Sequence, residues 1–135
     1  MNLGDVKEFA KRYTAAWCGQ DAARVASFFS ESGSLQINAG APSVGRAAIA
    51  AAAQSFMTAF PDMAVEMEAV ERADDGFVYR WVLTGTNTGP GGTSRRVHIR
   101  GYEEWTMGAD RLIARSLGHF DEADYRRQLS GSGAK

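Results

Sequence analysis

Residues 77–88 read FVYRWVLTGTNT, and the alternation in the first half of this stretch decides the fold. Bulky apolar side chains stand at every second position, which is typical of a β-strand with one buried face. The preceding Asp74-Asp75-Gly76 favours a hairpin turn back to the alternating residues 63–68. Residues 95–107 and 111–120 are two further strand-like segments. The second half of the chain therefore predicts an antiparallel meander.

The first half of the chain has helical periodicity instead. Residues 5–8 have the spacing of a capping box with an aspartate as the cap, and Gly19 and Asp21 are suited to end one helix and begin the next. A third helix is expected from about Arg46 until Pro61, which cannot continue it. The apolar residues of the first and third helices recur on one face: Val6, Phe9, Tyr13 and Trp17, then Ile49, Ala53, Phe56, Met57 and Phe60.

The order of these segments indicates an α+β domain, because helices come first and strands follow. Residues 30–33 have the composition of a turn, and residues 35–37 alternate as in a short strand. We expect a curved antiparallel sheet wrapped around three helices, with an internal pocket in the volume that the helices leave unfilled. One domain is predicted over residues 1–129, ending in a short helix, and a flexible tail over residues 130–135.

The composition excludes several classes of protein. The 135 residues carry a formal net charge of −1, so neither nucleic acid nor an anionic membrane is an expected partner. Cys18 is the single cysteine, and no Cys/His cluster has metal-ligand spacing, so neither a disulfide nor a metal is expected. Residues 1–5 do not resemble a signal peptide, and the longest apolar stretch, residues 47–53, is too short to span a bilayer. A cytoplasmic location is the default expectation.

Glu103 is the residue that does not fit its surroundings. Strand alternation puts it on the same face as four residues that predict burial: Val97, Ile99, Gly101 and Trp105. A carboxyl group in an apolar pocket has a raised pKa and can donate a proton or a hydrogen bond. The alternative is a bulge that reverses the alternation and puts Glu103 in water. Either way, one residue of the Glu103-Glu104 pair points outward.

Three other residues are candidates for acid/base chemistry. Tyr13 lies on the apolar face of the first helix, either as a catalytic donor or as a core tyrosine bonded to a backbone carbonyl. His119 and Asp121 are two residues apart at the end of the last strand and could form an acid/base pair on one face. The alternative for Asp121 is to cap the terminal helix, which we favour.

The opposite face of the sheet is more polar. It carries His98, Arg100, Tyr102 and Glu104, which alternate with the apolar residues of the same strand. These residues form either a solvated face or a partly polar homodimer interface, where Arg and Tyr are enriched.

At this point the order of elements resembles the nuclear transport factor 2-like superfamily, especially its SnoaL-like polyketide cyclase branch and the ketosteroid isomerases. The resemblance extends from about Val6 to Leu129, and five segments carry it: residues 13–21, 56–62, 80–81, 85–89 and 112–129. It implies a cone-shaped α+β barrel with a pocket inside, usually a homodimer. Members include isomerases, cyclases, dehydratases, epoxide hydrolases and plain binding domains, so the fold alone does not give the activity.

The resemblance also suggests roles for single residues. Arg12-Tyr13 followed by Asp21 looks like the steroid isomerase segment whose tyrosine donates to the substrate oxygen, and Glu103 looks like that enzyme's protonated oxyanion-hole acid. Residues 35–38 are Leu-Gln-Ile-Asn, where the isomerases carry their proton-shuttling aspartate. Asp121 looks like the late aspartate of the cyclase branch.

Two functions of different class follow, with an adaptor that has an incidental cavity as a third. The first is an enzyme that acts without a cofactor on a small apolar or cyclic substrate, with Tyr13 and Glu103 as donors and His119 or Asp121 moving the proton. The second is a protein that binds a small apolar molecule without turnover. The predicted substrate-binding residues are Trp17, Ile37, Asn38, Phe56, Phe60, Trp81 and Leu83.

Overall fold

The computed structural model describes residues 1–130, which form four helices and a curved, open sheet of six strands. In chain order the elements are α1 (Leu3–Cys18), α2 (Ala22–Ser27), β1 (Phe29–Ile37), β2 (Ser43–Val44), α3 (Arg46–Ala59), β3 (Ala64–Ala73), β4 (Gly76–Thr86), β5 (Arg96–Met107), β6 (Ile113–Phe120) and α4 (Glu122–Ser130). No helix in this part of the chain combines the length and the hydropathy that a bilayer span requires. The α+β class is confirmed. The division into a domain over residues 1–129 and a tail stays a prediction, since all of the tail except Ser130 lies outside the described residues.

The sheet has the strand order β2-β1-β6-β5-β4-β3. The pairs β3–β4, β4–β5 and β5–β6 are antiparallel, as the meander predicts. The pair β1–β6 is parallel, so the sheet is mixed rather than wholly antiparallel. These two strands lie far apart in the sequence, and no hairpin turn fixes their relative direction.

Two local predictions about the first half are corrected. Helix α1 begins three residues earlier than expected, because Asn2 and Asp5 form the capping box: the Asn2 side chain accepts from the Asp5 backbone N–H at 2.8 Å. Residues 30–33 are not a turn but belong to β1, where the register with β6 shifts between Phe29 and Ser34. An irregular pairing lets a strand contain residues with turn-like composition.

The inward face of the sheet follows the predicted alternation. Phe77, Tyr79 and Leu83 of β4 are buried, as are Val97 and Ile99 of β5. They pack against the buried stripes of the helices, which include Val6, Phe9 and Tyr13 of α1 and Ile49, Ala53 and Met57 of α3. The buried residues of α3 are one small and two large side chains, Ala53 with Ile49 and Met57, so a few large side chains fill most of the core beneath this helix.

Gly89 holds the loop after β4 against the end of α3. A Cβ atom at this position would lie 2.0 Å from the Thr58 carbonyl oxygen, and the Gly89 backbone N–H donates to the Ala59 carbonyl. We expect Gly89→Ala to lower the free energy of unfolding by about 1–3 kcal/mol, because the backbone must shift to remove the clash. Gly4→Ala is the control, since its nearest neighbour is the Asn2 side-chain oxygen at 3.3 Å. Urea denaturation of both variants checks this, and equal midpoints would contradict it.

Candidate functional site

An apolar cavity lies between the inward face of the sheet and helices α1 and α3. Its volume is about 70 Å³. Pockets for drug-sized ligands span about 300–1,000 Å³, so this cavity suits a small molecule. Its lining contains five aromatic residues and one carboxylic acid, and in full consists of Trp17, Leu35, Ile37, Ala52, Phe56, Val65, Tyr79, Trp81, Leu83, Ile99, Glu103, Gly118, His119 and Phe120.

Glu103 lies on β5 with only 8% of its surface exposed. The register of β5 with β4 is continuous and pairs Glu103 with Tyr79, so the alternative of a bulge before Glu103 is wrong. The next residue, Glu104, points to the opposite face and is exposed. Strand alternation therefore delivers one carboxyl group of the pair to the cavity wall.

Three neutral donors surround the Glu103 carboxyl group. Ser116 Oγ donates to Oε1 at 2.7 Å, and Trp105 Nε1–H donates to the same oxygen at 2.9 Å. The Tyr13 hydroxyl lies 3.1 Å from Oε1 and 3.2 Å from Oε2. Among residues 1–130, no cationic side chain forms a salt bridge with Glu103.

Burial raises the pKa of Glu103 above its ordinary value of 4.5, and the hydrogen bonds from Trp105, Ser116 and Tyr13 offset part of this effect. The opposing effects have a simple origin. Removal from water penalises the charged form, while each donor stabilises the carboxylate. Glu103 is thus a buried acid that can exist in both protonation states within one set of hydrogen bonds.

A model of the SnoaL-like domain matches residues 10–116, most of the chain. The chain belongs to this family. Comparison with curated proteins finds no match. Solved structures are similar over nearly their whole length, at identities that establish the fold alone. They include TsrD from Streptomyces laurentii (17% identity, 96% of this chain and 97% of that chain, TM-score 0.80), a protein with a ketosteroid isomerase-like fold from Catenulispora acidiphila in complex with trimethylamine (18%, 90% and 92%, 0.78), and the epoxide hydrolase/cyclase-like enzyme SalBIII of pyran ring formation in salinomycin (20%, 87% and 92%, 0.74).

In this SnoaL-like domain, Tyr13 lies behind Glu103 and is absent from the cavity lining formed by the described residues. It is fully buried, and its hydroxyl contacts Glu103 rather than the backbone carbonyl that we considered for a core tyrosine. Burial, followed by the nearby Glu103 carboxylate, raises the pKa of Tyr13 well above its usual range. Tyr13 therefore stays neutral and reaches a ligand only through Glu103.

His119 and Asp121 do not come together as an acid/base pair. His119 Nε2 lies 2.7 Å from Glu104 Oε1, and the imidazole stacks on Tyr102, both residues of the outer sheet face. His119 therefore borders the cavity, but strand alternation directs its imidazole to the outer face of the sheet. Asp121 caps α4 by accepting from the Asp124 backbone N–H at 3.0 Å, as the capping alternative predicts. The strand ends at Phe120, so the two-residue spacing no longer implies a shared face.

Five of the seven predicted substrate-binding residues line the cavity: Trp17, Ile37, Phe56, Trp81 and Leu83. The other two do not. Phe60 follows the end of α3 and packs against Gly85 and the Tyr125 ring of α4. Asn38 follows β1 with a φ of 51°, and its side chain accepts from the Phe120 backbone N–H at 3.0 Å. It joins β1 to β6 and has a structural role.

The sequence interpretation missed Ser116, which has no exposed surface and contacts Glu103 directly. Strand pairing places it opposite Trp105, so both donors approach Glu103 from the same side of the sheet. The signal in the sequence was weak. Ser116 and Ile113 both face inward although they are three residues apart, because the pairing of β6 with β5 is irregular between them. Strict alternation would place them on opposite faces, so the sequence alone does not predict that Ser116 faces inward.

Proposed function

We propose that this SnoaL-like domain is an acid/base enzyme that acts without a cofactor on a small apolar or cyclic substrate, with Glu103 as the group that transfers the proton. One observation carries the proposal: a buried carboxyl group with a raised pKa lies in the wall of an apolar cavity. Burial of an acid without a cationic partner is costly for stability, and such groups cluster at functional sites. A purely structural role needs only a neutral polar side chain at this position.

The geometry supports a simple reaction. As a carboxylate, Glu103 takes a proton from a carbon atom next to a carbonyl group of the substrate, and the electron pair of the C–H bond moves towards the carbonyl oxygen. As the neutral acid, it returns the proton to the same or another carbon atom. The apolar wall keeps water from the reacting atoms, and Tyr13, Trp105 and Ser116 hold the carboxyl group in both states.

Hydrogen exchange tests this proposal before the natural substrate is known. Small cyclic ketones such as cyclohexanone, 2-cyclohexenone and 1-indanone are incubated with the protein in D₂O, and proton NMR follows the loss of hydrogen next to the carbonyl group. We expect the wild-type protein to accelerate exchange for at least one ketone. Glu103→Gln should reduce the acceleration by about 100-fold or more, as is usual on loss of a general base.

The neighbouring residue supplies a matched control. Glu104→Gln makes the same chemical change one position later, on the outer face of the sheet and in contact with His119. It should retain exchange if Glu103 acts at the cavity, and lose it if the His119–Glu104 pair moves the proton. Equal rates in the wild type and Glu103→Gln would refute the role of Glu103.

Binding without turnover is the second candidate, and the orientation of two other wall residues favours it. The Tyr79 hydroxyl lies 2.5 Å from Thr14 Oγ1, and His119 bonds to Glu104, so both polar ends are engaged away from the cavity. A ligand that copurifies with the protein and is returned unchanged, identified by mass spectrometry, would support this candidate. An adaptor with a solid core is disfavoured, since Phe56 and Trp81 line a cavity.

Both candidates require a ligand in the cavity, which a variant of Trp81 tests. Trp81→Ala removes the largest side chain on β4 that lines the cavity, and we expect the affinity for 2-cyclohexenone to fall by about 10-fold or more, the usual loss on truncating a buried aromatic contact. Tyr102→Ala, an aromatic truncation on the outer face, should leave the affinity unchanged. Protein NMR titrations measure both. A loss that is equal in the two variants would place the ligand outside the cavity.

The remaining partner and location predictions are also proposals. We propose that the protein forms a homodimer through the outer sheet face, where three side-chain pairs are already made within the chain: Arg80 with Glu71, Arg100 with Glu68 and His119 with Glu104. A cytoplasmic location remains the default expectation from the sequence.

A further inference from the structure

The two oxygens of the Glu103 carboxyl group have different surroundings. Oε1 accepts from Ser116 and from Trp105, and the Tyr13 hydroxyl spans both oxygens at nearly equal distances. Among the described residues, Oε2 therefore has only a share of the Tyr13 hydroxyl as a hydrogen-bond partner. A buried carboxyl group needs hydrogen bonds, but it does not need two of its three donors on the same oxygen.

Trp105 determines which oxygen of Glu103 must accept a hydrogen bond. An indole N–H can only donate, whereas serine and tyrosine hydroxyls can donate or accept. Trp105 Nε1–H therefore keeps Oε1 as an acceptor whether Glu103 is charged or neutral. With Ser116 also at Oε1, both lone pairs of that oxygen are engaged.

From this geometry we infer that Ser116 and Trp105 are positioning residues that hold Oε1 of Glu103 as a fixed acceptor and leave Oε2 as the atom that exchanges a proton with the cavity ligand. The inference rests on the proposed function in one respect, namely that Glu103 exchanges a proton with a ligand. In the neutral acid the proton resides on Oε2. In the carboxylate Oε2 is the oxygen that accepts the proton from the substrate carbon.

The same arrangement sets the acidity of Glu103. Both positioning residues stabilise the carboxylate, so removal of either favours the neutral acid. His119 of β6 borders the same cavity, but its imidazole is engaged by Glu104 on the outer face. Among the described residues, the titratable groups that face Glu103 from the packed elements are Tyr13 of α1 and Tyr79 of β4, and both have a raised pKa. They remain neutral from acidic to moderately alkaline pH, so a carboxyl titration in that range reports on Glu103 itself.

The first test is a carbon-13 NMR titration of the Glu103 side-chain carboxyl carbon. Ser116→Ala and Ser116→Cys should both move its midpoint to higher pH, because alanine removes the donor and cysteine fills the site with a slightly larger side chain that donates only weakly. Ser55→Ala is the matched control, since Ser55 Oγ donates to the Ala52 carbonyl on the exposed side of α3. A midpoint that moves in the alanine variant but not in the cysteine variant would show a packing role and overturn the inference.

The second test uses Glu103→Gln to read which oxygen is the fixed acceptor. The glutamine oxygen should occupy the Oε1 position, because the indole of Trp105 cannot accept from an amide N–H. The Trp105 indole N–H then stays protected from solvent exchange and shows no strong nuclear Overhauser effect to the amide protons. A strong effect between these protons would overturn the inference.

The two proposals fail in different ways. If the wild type does not accelerate ketone exchange while the carboxyl midpoint moves as expected, the proposed reaction is wrong and the hydrogen-bond assignment holds. If exchange occurs, its pH profile in Ser116→Ala should move to higher pH together with the carboxyl midpoint. An exchange profile that stays in place while the midpoint moves would show that the Glu103 carboxyl group does not exchange the proton, which would overturn the assignment to Oε2 as well.

Discussion

Glu103→Leu is expected to lower the free energy of unfolding by about 2–4 kcal/mol, whereas Glu103→Gln is expected to leave it unchanged or to raise it at neutral pH. Leucine cannot accept a hydrogen bond, so the buried donors of Tyr13, Trp105 and Ser116 lose their shared acceptor. Each unsatisfied buried donor costs about 1–3 kcal/mol, and removal of the buried acid itself returns part of that loss. Glutamine keeps an acceptor oxygen and avoids the buried charge.

Urea denaturation at pH 7 compares the two variants directly. Glu104→Gln serves as the control, because an exposed pair such as His119–Glu104 contributes about 0–1 kcal/mol. Circular dichroism of each variant establishes that it is folded before denaturation. If leucine and glutamine at position 103 gave the same free energy of unfolding, the loss of the shared acceptor would cost nothing. The hydrogen bonds from the three donors to Glu103 would then not contribute to stability.

The sequence was informative about Glu103 because a strand with one buried face has a period of two. Trp105 predicts the buried face two residues away, and the continuous register of β4 with β5 preserves the alternation. Tyr13 was placed correctly on the buried face of α1 for a similar reason, with a period of 3.6. Local periodicity thus found the two ends of the Tyr13–Glu103 hydrogen bond, although they lie 90 residues apart.

The sequence was less informative wherever a long-range contact decides the outcome. Ser116 became a partner of Glu103 through the pairing of β5 with β6, which periodicity within one strand does not give. The parallel pairing of β1 with β6 is another such contact. At the start of α1, two overlapping cap patterns three residues apart, Asn2 to Asp5 and Asp5 to Glu8, were both compatible with the sequence.

The fate of Asp121 shows how an element boundary alters a functional interpretation. Residues two apart share a face only while the strand continues, and β6 ends at Phe120. The carboxylate then caps α4 instead of pairing with His119. Because His119 also pairs with Glu104 and Tyr13 lies behind Glu103, one acid with its donors remains of the four candidates, and the proposed reaction depends on Glu103.

The contribution of Glu103 to the stability of the protein is expected to fall as the pH rises through the range in which Glu103 titrates. The pKa of Glu103 is raised in the folded state, mainly by burial, from an ordinary value of 4.5. Between the unfolded and folded pKa values, the folded protein holds a proton on Glu103 that the unfolded chain has lost. The contribution of Glu103 is therefore fully present below the unfolded pKa and is lost as the pH rises through the folded pKa.

Glu103→Gln isolates this contribution, because glutamine does not titrate. The pKa values of Asp62 and Glu8 are lowered by hydrogen bonds from Thr86 and from Lys11, so these exposed carboxyl groups give the opposite trend, but they do so equally in both proteins. The difference in unfolding free energy between the variant and the wild type should be constant at low pH. It should then grow in favour of glutamine by at most about 1.4 kcal/mol per pH unit, and become constant above the folded pKa. Urea denaturation from about pH 3 to about pH 9 measures this difference, because this range begins well below the ordinary carboxyl pKa and ends below the ordinary tyrosine pKa. A difference independent of pH would mean that Glu103 titrates as an ordinary solvated acid, and a difference that grew towards low pH would mean that its donors outweigh its burial.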